Sequence, residues 1–347
     1  MHSTPAPAGQ PRRVVTFGEI MLRLAPPLHY RLAQASSFDL TYGGGEANVA
    51  AALAGLGVPA THVTCFPDNE LGQAAAAHFR RYGVDMTPTV FRGQRLGLYF
   101  LETGASLRAS KVVYDRAHSA FAELQPEWFA WDEILQDAVW LHWTGITAAI
   151  SAGAAEATRQ AIAAARRLGL TVSADVNYRR NLWQYGQTAQ AVMTELVAGC
   201  DVVVCSEHDA ADLFGIQPEE NAPNRFASVA GQLMRRFPQI RQVLATSRAT
   251  QSASHERIHG QLLDAELGYH QTSAYDLTPV VDRIGGGDAF LAGFIYGRRH
   301  YATAPEALAF ATAASALKHT IHGDINLVTV AEVEHVLAGH TSGRLLR

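Results

Sequence analysis

The stretch Asp282-Arg283-Ile284-Gly285-Gly286-Gly287-Asp288 sets three successive glycines and a carboxylate at the start of an apolar helix. Without side chains, Gly285, Gly286 and Gly287 leave backbone N–H groups bare at the positive end of a helix dipole. That is an anion hole suited to a phosphate. The same field favours an ionised Asp288 in the first helical turn. A carboxylate that faces an alcohol there, and not a metal, can take the hydroxyl proton as that oxygen attacks a γ-phosphorus, while the amides stabilise the transferring group. A tight helix start merely capped by Asp288 would use the same residues. A second glycine-rich helix start, Gly43-Gly44-Gly45-Glu46-Ala47-Asn48, lies far upstream.

The arginines speak to the acceptor. The strand expected over 170–175 runs into Val176-Asn177-Tyr178-Arg179. Arg179 thus stands at the carboxyl end of a parallel strand, where α/β proteins bind ligands. Tyr114 and Arg116 share a face under the strand period of two, and Tyr99 sits on the preceding strand. Two arginines aimed at one small site fit a carboxylate, which guanidinium binds through paired hydrogen bonds. Arginines engaged by acidic neighbours of the chain would instead leave room for a neutral ligand.

The elements that must hold these residues follow from pattern. The chain has 347 residues, 48% hydrophobic and 17% charged, with net charge −4. That excludes a disulfide scaffold and a disordered chain, and gives no broad attraction for nucleic acid or a membrane surface. No apolar run reaches about 18 residues and no leader-like segment opens the chain, so a cytoplasmic protein is expected. Cys65, Cys200 and Cys205 lack metal or redox spacing and read as buried thiols. Lys111 and Lys318 are the two lysines, and neither lies in a Walker-type loop.

A first strand is expected over 13–17, helices after Gly45 and over 70–82, and one strand over 61–66. Two β-rich excursions cover 22–42 and 90–116, the second a hairpin of 96–101 and 111–115. Strands at 138–143, 170–175, 201–205 and 242–246 then alternate with helices at 152–167, 188–198, 207–214 and 226–236. A β segment at 257–275 and helices from Asp288, Pro305 and Val330 complete the chain. Such alternation implies a mostly parallel sheet in an α/β fold.

The order of these parts resembles the ribokinase-like (PfkB) carbohydrate kinases: a G-G-x-x-x-N stretch, β excursions on either side, and a late D-x-x-G-x-G-D motif. The resemblance runs from Val14 to about Leu337. It implies a three-layer α/β/α fold with a mostly parallel sheet and a small β-sheet lid, as one kinase domain over 13–340 with tails at 1–12 and 341–347. Asp-Val-Asn-Tyr-Arg over 175–179, Gly97-Leu98-Tyr99, Tyr114-x-Arg116 and Leu317-Lys318-His319-Thr320 through Gly323-Asp324 are similar to the branch acting on 2-keto-3-deoxygluconate.

By that resemblance Gly43, Gly44, Asn48, Tyr99, Tyr114, Arg116 and Arg179 contact a sugar acid. Asp288 is the general base, also touching substrate, and ATP with Mg²⁺ phosphorylates the terminal hydroxyl. Ser206, Thr246, Ser247, Arg248, Gly285 and Gly287 would serve the nucleotide, and Asp209 the metal through water. The chain departs from the family pattern in four places. Ser206 and Asp209 replace an N-x-x-E pair, and Ser247-Arg248-Ala249-Thr250-Gln251 stands where a G-x-x-G turn is usual. Glu46 replaces a proline and Arg283 a small residue.

A lid with open sheet edges predicts a homodimer paired through the lid. His142 is expected to be a buried, satisfied histidine, and the tryptophans at 128, 131, 140 and 143 to be packing. Two readings remain beside the sugar-acid kinase: a fructokinase- or ribokinase-like enzyme for a neutral sugar, and a non-catalytic sugar-binding regulator.

Overall fold

Val14-Val15, Leu141-His142-Trp143 and Val202-Val203-Val204 are apolar at nearly every position, the pattern of strands covered on both faces. The structure, a computed structural model, describes residues 12–341 and residue 343. Apart from residues 12, 341 and 343, the expected tails lie outside the described residues.

The central sheet has nine strands among the described residues. Parallel strands Ala60–Val63, Arg13–Phe17, Ala138–Thr144, Thr171–Asp175, Val202–Val204 and Gln242–Ser252 lie side by side in that order. His255–Asp264 then adds antiparallel, with Gly268–Gln271 and Tyr275–Leu277 both paired to it.

Alternate residues enter two separate cores. Val15, Phe17, Trp143 and Val203 join one, under the helices Ala152–Arg167, Ala189–Val197, Glu207–Phe214 and Arg225–Arg236. Val14, Trp140, Val202 and Leu244 join the other, under Gly45–Gly55, Glu70–Arg81, Gly286–His300 and Ala304–Lys318. The result is a three-layer α/β/α fold. Phe290, Phe294 and Phe310 show 0% exposure, each stabilising the second core by about 1.5–3 kcal/mol.

The β excursions form a second, four-stranded sheet in the order Asp39–Gly43, Met21–Ala25, Leu98–Glu102, Lys111–Asp115. Its outer pairs are antiparallel and its middle pair parallel.

Two strands differ from expectation. The one expected over 61–66 is divided: Ala60–Val63 belongs to the central sheet, while Cys65–Phe66 pairs with Val90–Phe91. The strand expected over 242–246 continues to Ser252, because the chain there has no glycine to turn it and antiparallel pairing with His255–Asp264 is available. Two short helices, Trp131–Leu135 and Gly145–Ile150, show no usable period in sequence.

Candidate active site

The carboxyl ends of the parallel strands open onto a cleft of about 470 Å³, walled by both sheets. It brings together Gly43, Gly44, Asn48, Tyr99, Tyr114, Arg116, Arg179, Ser206, Asp209, Thr246, Arg248, Gly285, Gly286, Gly287 and Asp288. Ser247 is the exception. It alternates away from the flanking Thr246 and Arg248 and stands in register with His259, so the strand period turns it off the wall.

The glycine loop is built by its neighbours. Gly285 caps the helix Gly286–His300 with φ 82°, and a Cβ there would lie 1.9 Å from the Asp324 carbonyl oxygen. Asp282 holds the loop from behind, accepting from the N–H of Ile284 at 3.0 Å and of Gly323 at 3.1 Å. The N–H groups of Gly287 and Asp288 have no backbone acceptor among the described residues. At the other helix start, a Cβ on Gly44 would lie 2.0 Å from the Glu19 carbonyl oxygen, so the close approach of these segments requires glycine.

Asp288 receives a hydrogen bond from Asn48 Nδ2 at 2.7 Å. Burial pushes its carboxyl up to about 8, against the lowering effect of Asn48; Asp175, Asp324 and Glu46 add repulsion. The ionised state expected from the helix dipole is therefore corrected: desolvation by the surrounding protein outweighs a terminal half-charge. Asp175, at the end of its strand, is pushed up to about 7 by burial and by Asp209, with Arg179 opposing.

The two arginines differ. Arg116 donates from Nε to Glu19 Oε2 at 2.9 Å, and its Nη2 contacts the same oxygen. It is thus paired to a buried carboxylate of its own chain. Arg179 is exposed on the cleft and has no ion pair among the described residues. A sharp turn at Asn177, with φ 35°, leads to it from the strand end. Tyr114 is half exposed over the cleft, with its ring 6.2 Å from that of Tyr99. The Tyr99 hydroxyl is already committed, donating to Asp324.

Ser206 and Asp209 form a reciprocal helix cap: Ser206 Oγ accepts from the Asp209 N–H at 3.1 Å and donates to Asp209 Oδ2 at 2.8 Å. Asp209 Oδ1 also accepts from the Tyr178 N–H at 3.3 Å. Among the described residues no group of three or more His, Cys, Asp or Glu side chains is arranged to hold a metal ion. The three cysteines are free and buried, and burial pushes the Cys65 thiol up to about 12.

His142 is buried as expected but only half satisfied: Nδ1 meets Ser173 Oγ at 3.1 Å, while Nε2 has no partner among the described residues. Sequence reasoning missed four acids on the wall, Glu19, Glu46, Asp175 and Asp324. Glu46 is buried and accepts from Thr144 N–H, Thr144 Oγ1 and Thr147 Oγ1 at 3.1, 2.8 and 2.5 Å. The positions of Glu19 and Asp175 at strand ends were the available signal.

A parallel sheet with helices on both faces, a small sheet over its strand ends and a glycine anion loop define a kinase architecture. The sequence profile of the pfkB family carbohydrate kinases matches residues 11–330, and the chain belongs to that family. The crystal structure of 2-dehydro-3-deoxygluconokinase from Thermotoga maritima superimposes with a TM-score of 0.91 at 42% identity, covering 95% of this chain and 99% of that one. A PfkB family carbohydrate kinase from Listeria grayi superimposes at 0.88 with 36% identity, over 94% and 99% of the two chains. The 2-dehydro-3-deoxygalactonokinase of Haloferax volcanii is 33% identical over 334 residues, 95% of this chain and 98% of that protein. Among the described residues no helix is long and apolar enough to cross a membrane.

Proposed function

We propose that the cleft transfers the γ-phosphoryl group of ATP to the terminal hydroxyl of a sugar acid, 2-keto-3-deoxygluconate, giving its 6-phosphate. The observation that carries this reading is the set of groups that one cleft collects. The amides of Gly287 and Asp288, without backbone acceptors among the described residues, stand near Arg248, and the same cleft is lined by the Asp288 carboxylate and by Arg179, which has no ion pair among the described residues. The names of the similar proteins, which act on 2-dehydro-3-deoxy sugar acids, support the acceptor class.

In this mechanism the acid end of the sugar lies against Arg179 under Tyr114, and Gly43 and Gly44 floor the sugar site. Asp288 Oδ accepts the hydroxyl proton while the sugar oxygen attacks the γ-phosphorus. The bond from that phosphorus to the bridging oxygen breaks, and ADP leaves. The amides of Gly287 and Asp288 stabilise the charge on the transferring group, while that of Gly286 is turned to the Arg283 carbonyl at 3.4 Å. Asn48 orients Asp288, and Thr246 and Arg248 receive the triphosphate.

When bound with ATP, Mg²⁺ would supply charge to neutralise phosphate oxygens, with Asp209 to hold it through water. The donor set fits its hydrated form: Asp209 Oδ2 is filled by the Ser206 N–H and Oγ, while Oδ1, which accepts from the Tyr178 N–H, keeps a lone pair for a metal-bound water. The small sheet serves as a lid, and its edge strand Lys111–Asp115, exposed throughout, is the surface we assign to pairing of two lids in a homodimer.

One observation favours a neutral sugar, namely the pairing of Arg116 with Glu19, which leaves Arg179 as the one of the two expected carboxylate-binding arginines without an ion pair among the described residues. The deciding experiment is ADP release with Mg-ATP against 2-keto-3-deoxygluconate, its galactonate epimer, gluconate, fructose and ribose. Preference for the keto-deoxy acids is the expected result. Preference for fructose or ribose overturns the acid assignment, and ligand affinity without ADP release would make the protein a sugar-binding regulator.

A further inference from the structure

Beside the glycine loop lies a buried polar group that the mechanism above does not use. Glu256 and His319 are each 1% exposed. Glu256 Oε2 stands 3.7 Å from His319 Nε2 and 3.8 Å from Arg283 Nε. None of these three atoms has a hydrogen-bond partner among the described residues. A buried carboxylate normally binds its donors closely, because leaving them apart forfeits the compensation for desolvation. Here the arginine is held near the acid and yet not consumed by it.

Three further contacts give the arrangement a direction. Arg283 Nη2 donates to the Ser252 carbonyl at 2.6 Å, which anchors one edge of the guanidinium. Arg283 itself lines the cleft next to Gly285, and no hydrogen bond engages its Nη1 among the described residues. The His319 ring backs the loop, since a Cβ on Gly286 would meet its Cε1 at 2.6 Å.

The adjoining strand explains why a second cation is needed. Residues through Arg248 and Ala249 stay extended and paired with Ile258 and Arg257. The backbone amides of such a ladder are taken up in pairing or aimed along the sheet. Phosphate recognition on that wall therefore falls to side chains. Arg248 Nη2 comes within 3.9 Å of the point where a Gly287 Cβ would stand, and it has no ion pair among the described residues.

We infer that Arg283 is a second phosphate-binding cation for the nucleotide, with the buried Glu256 as its positioning residue, so that Arg248 and Arg283 receive the triphosphate from two sides of the glycine loop. The inference rests on the kinase reading above and adds a residue to its nucleotide end. Glu256 supplies the compensating charge that keeps the guanidinium over the loop, and with Nη2 on the Ser252 carbonyl it is Nη1 that is left for phosphate oxygens.

The test is calorimetric titration of the full chain with Mg-ATP and, separately, with adenosine, which carries no phosphate. Arg283→Ala is expected to weaken Mg-ATP about 10- to 100-fold while adenosine binding is unchanged. Arg283→Lys should recover part of the loss, and Glu256→Gln should produce a smaller loss in the same direction. Should Arg283→Ala fold poorly, the lysine and glutamine variants carry the comparison alone. Equal ATP affinity in Arg283→Ala and wild type, or equal losses for ATP and adenosine, would overturn the proposal. Because binding is read without turnover, an ATP deficit in a chain that phosphorylates no sugar acid would still support Arg283 while the acceptor assignment falls.

Discussion

Asn48 and Asp288, 240 residues apart in sequence, meet across 2.7 Å, the amide nitrogen of one donating to the carboxylate of the other. The bond joins the two glycine-rich helix starts at the point where proton transfer is assigned. It also sets a pH dependence. Burial pushes Asp288 up to about 8 and the Asn48 bond opposes it. A general base works when ionised, so kcat/KM should rise with pH through about 8 and then level. Asn48→Ala removes the opposing bond and should move that rise to higher pH. A profile flat from about pH 6 to 9, with chemistry rate-limiting, would remove Asp288 from the role of base.

The same carboxylate should cost stability. Its folded pKa lies above the unfolded value of 3.8. Between those values the folded state holds more protons, so stability is full below the unfolded pKa and falls as pH rises toward 8. Asp288→Asn should abolish turnover by about 10³-fold or more yet retain sugar binding. It should also raise stability at pH 8 by on the order of 1–2 kcal/mol, discounted for the edge that Asp288 shows to the cleft. Denaturant titrations of both proteins at pH 5 and pH 8 check this: the gap should open at pH 8. A variant less stable at both pH values would mean that Asp288 holds the fold.

What the sequence could show here was local. The helices Ala152–Arg167 and Glu207–Phe214 coincide with their expected ranges because caps and apolar period lie within each segment. The glycine loop was legible for the same reason. Pairings across long separations were not: Arg116 finds Glu19 across 97 residues, and Tyr99 finds Asp324 across 225. Nothing near Tyr99 says that its hydroxyl already has an acceptor. Ser247 was misplaced because a turn was anticipated where the strand continues, and in a strand each neighbour faces the other way.

Arg179 and Arg116 make a contrasting pair for mutation. Arg179 lines the cleft with no ion pair among the described residues, whereas Arg116 is bonded to Glu19. Arg179→Ala should weaken a sugar acid by about 2–5 kcal/mol and leave a neutral sugar of the same size almost unaffected. Arg116→Ala should instead impair stability, because it leaves the Glu19 carboxylate buried and uncompensated. Isothermal titration with the acid and its neutral analogue, beside thermal melts, separates the two. Equal losses for both ligands in Arg179→Ala would sink the carboxylate grip.

The central sheet carries its own acid sensitivity. His62 is 0% exposed and His142 1%. Both are pushed down to about 3 by burial. His62 makes two bonds, with Thr16 Oγ1 at 2.7 Å and the Gly18 carbonyl at 3.1 Å; the second favours a proton, and burial overrides it. Among the described residues one ring nitrogen of His142 has no partner, so a proton there would be neither hydrated nor bonded. The folded pKa values lie below the unfolded 6.5, so the unfolded chain takes up protons first as pH falls. Stability from these two sites is present above pH 6.5 and is lost between 6.5 and about 3, at about 1.4 kcal/mol per pH unit for each histidine. His142→Gln should flatten the fall between pH 6 and 4 by about one histidine's share. If urea midpoints of the variant and the wild type decline in parallel over that range, His142 is not a source of the acid lability.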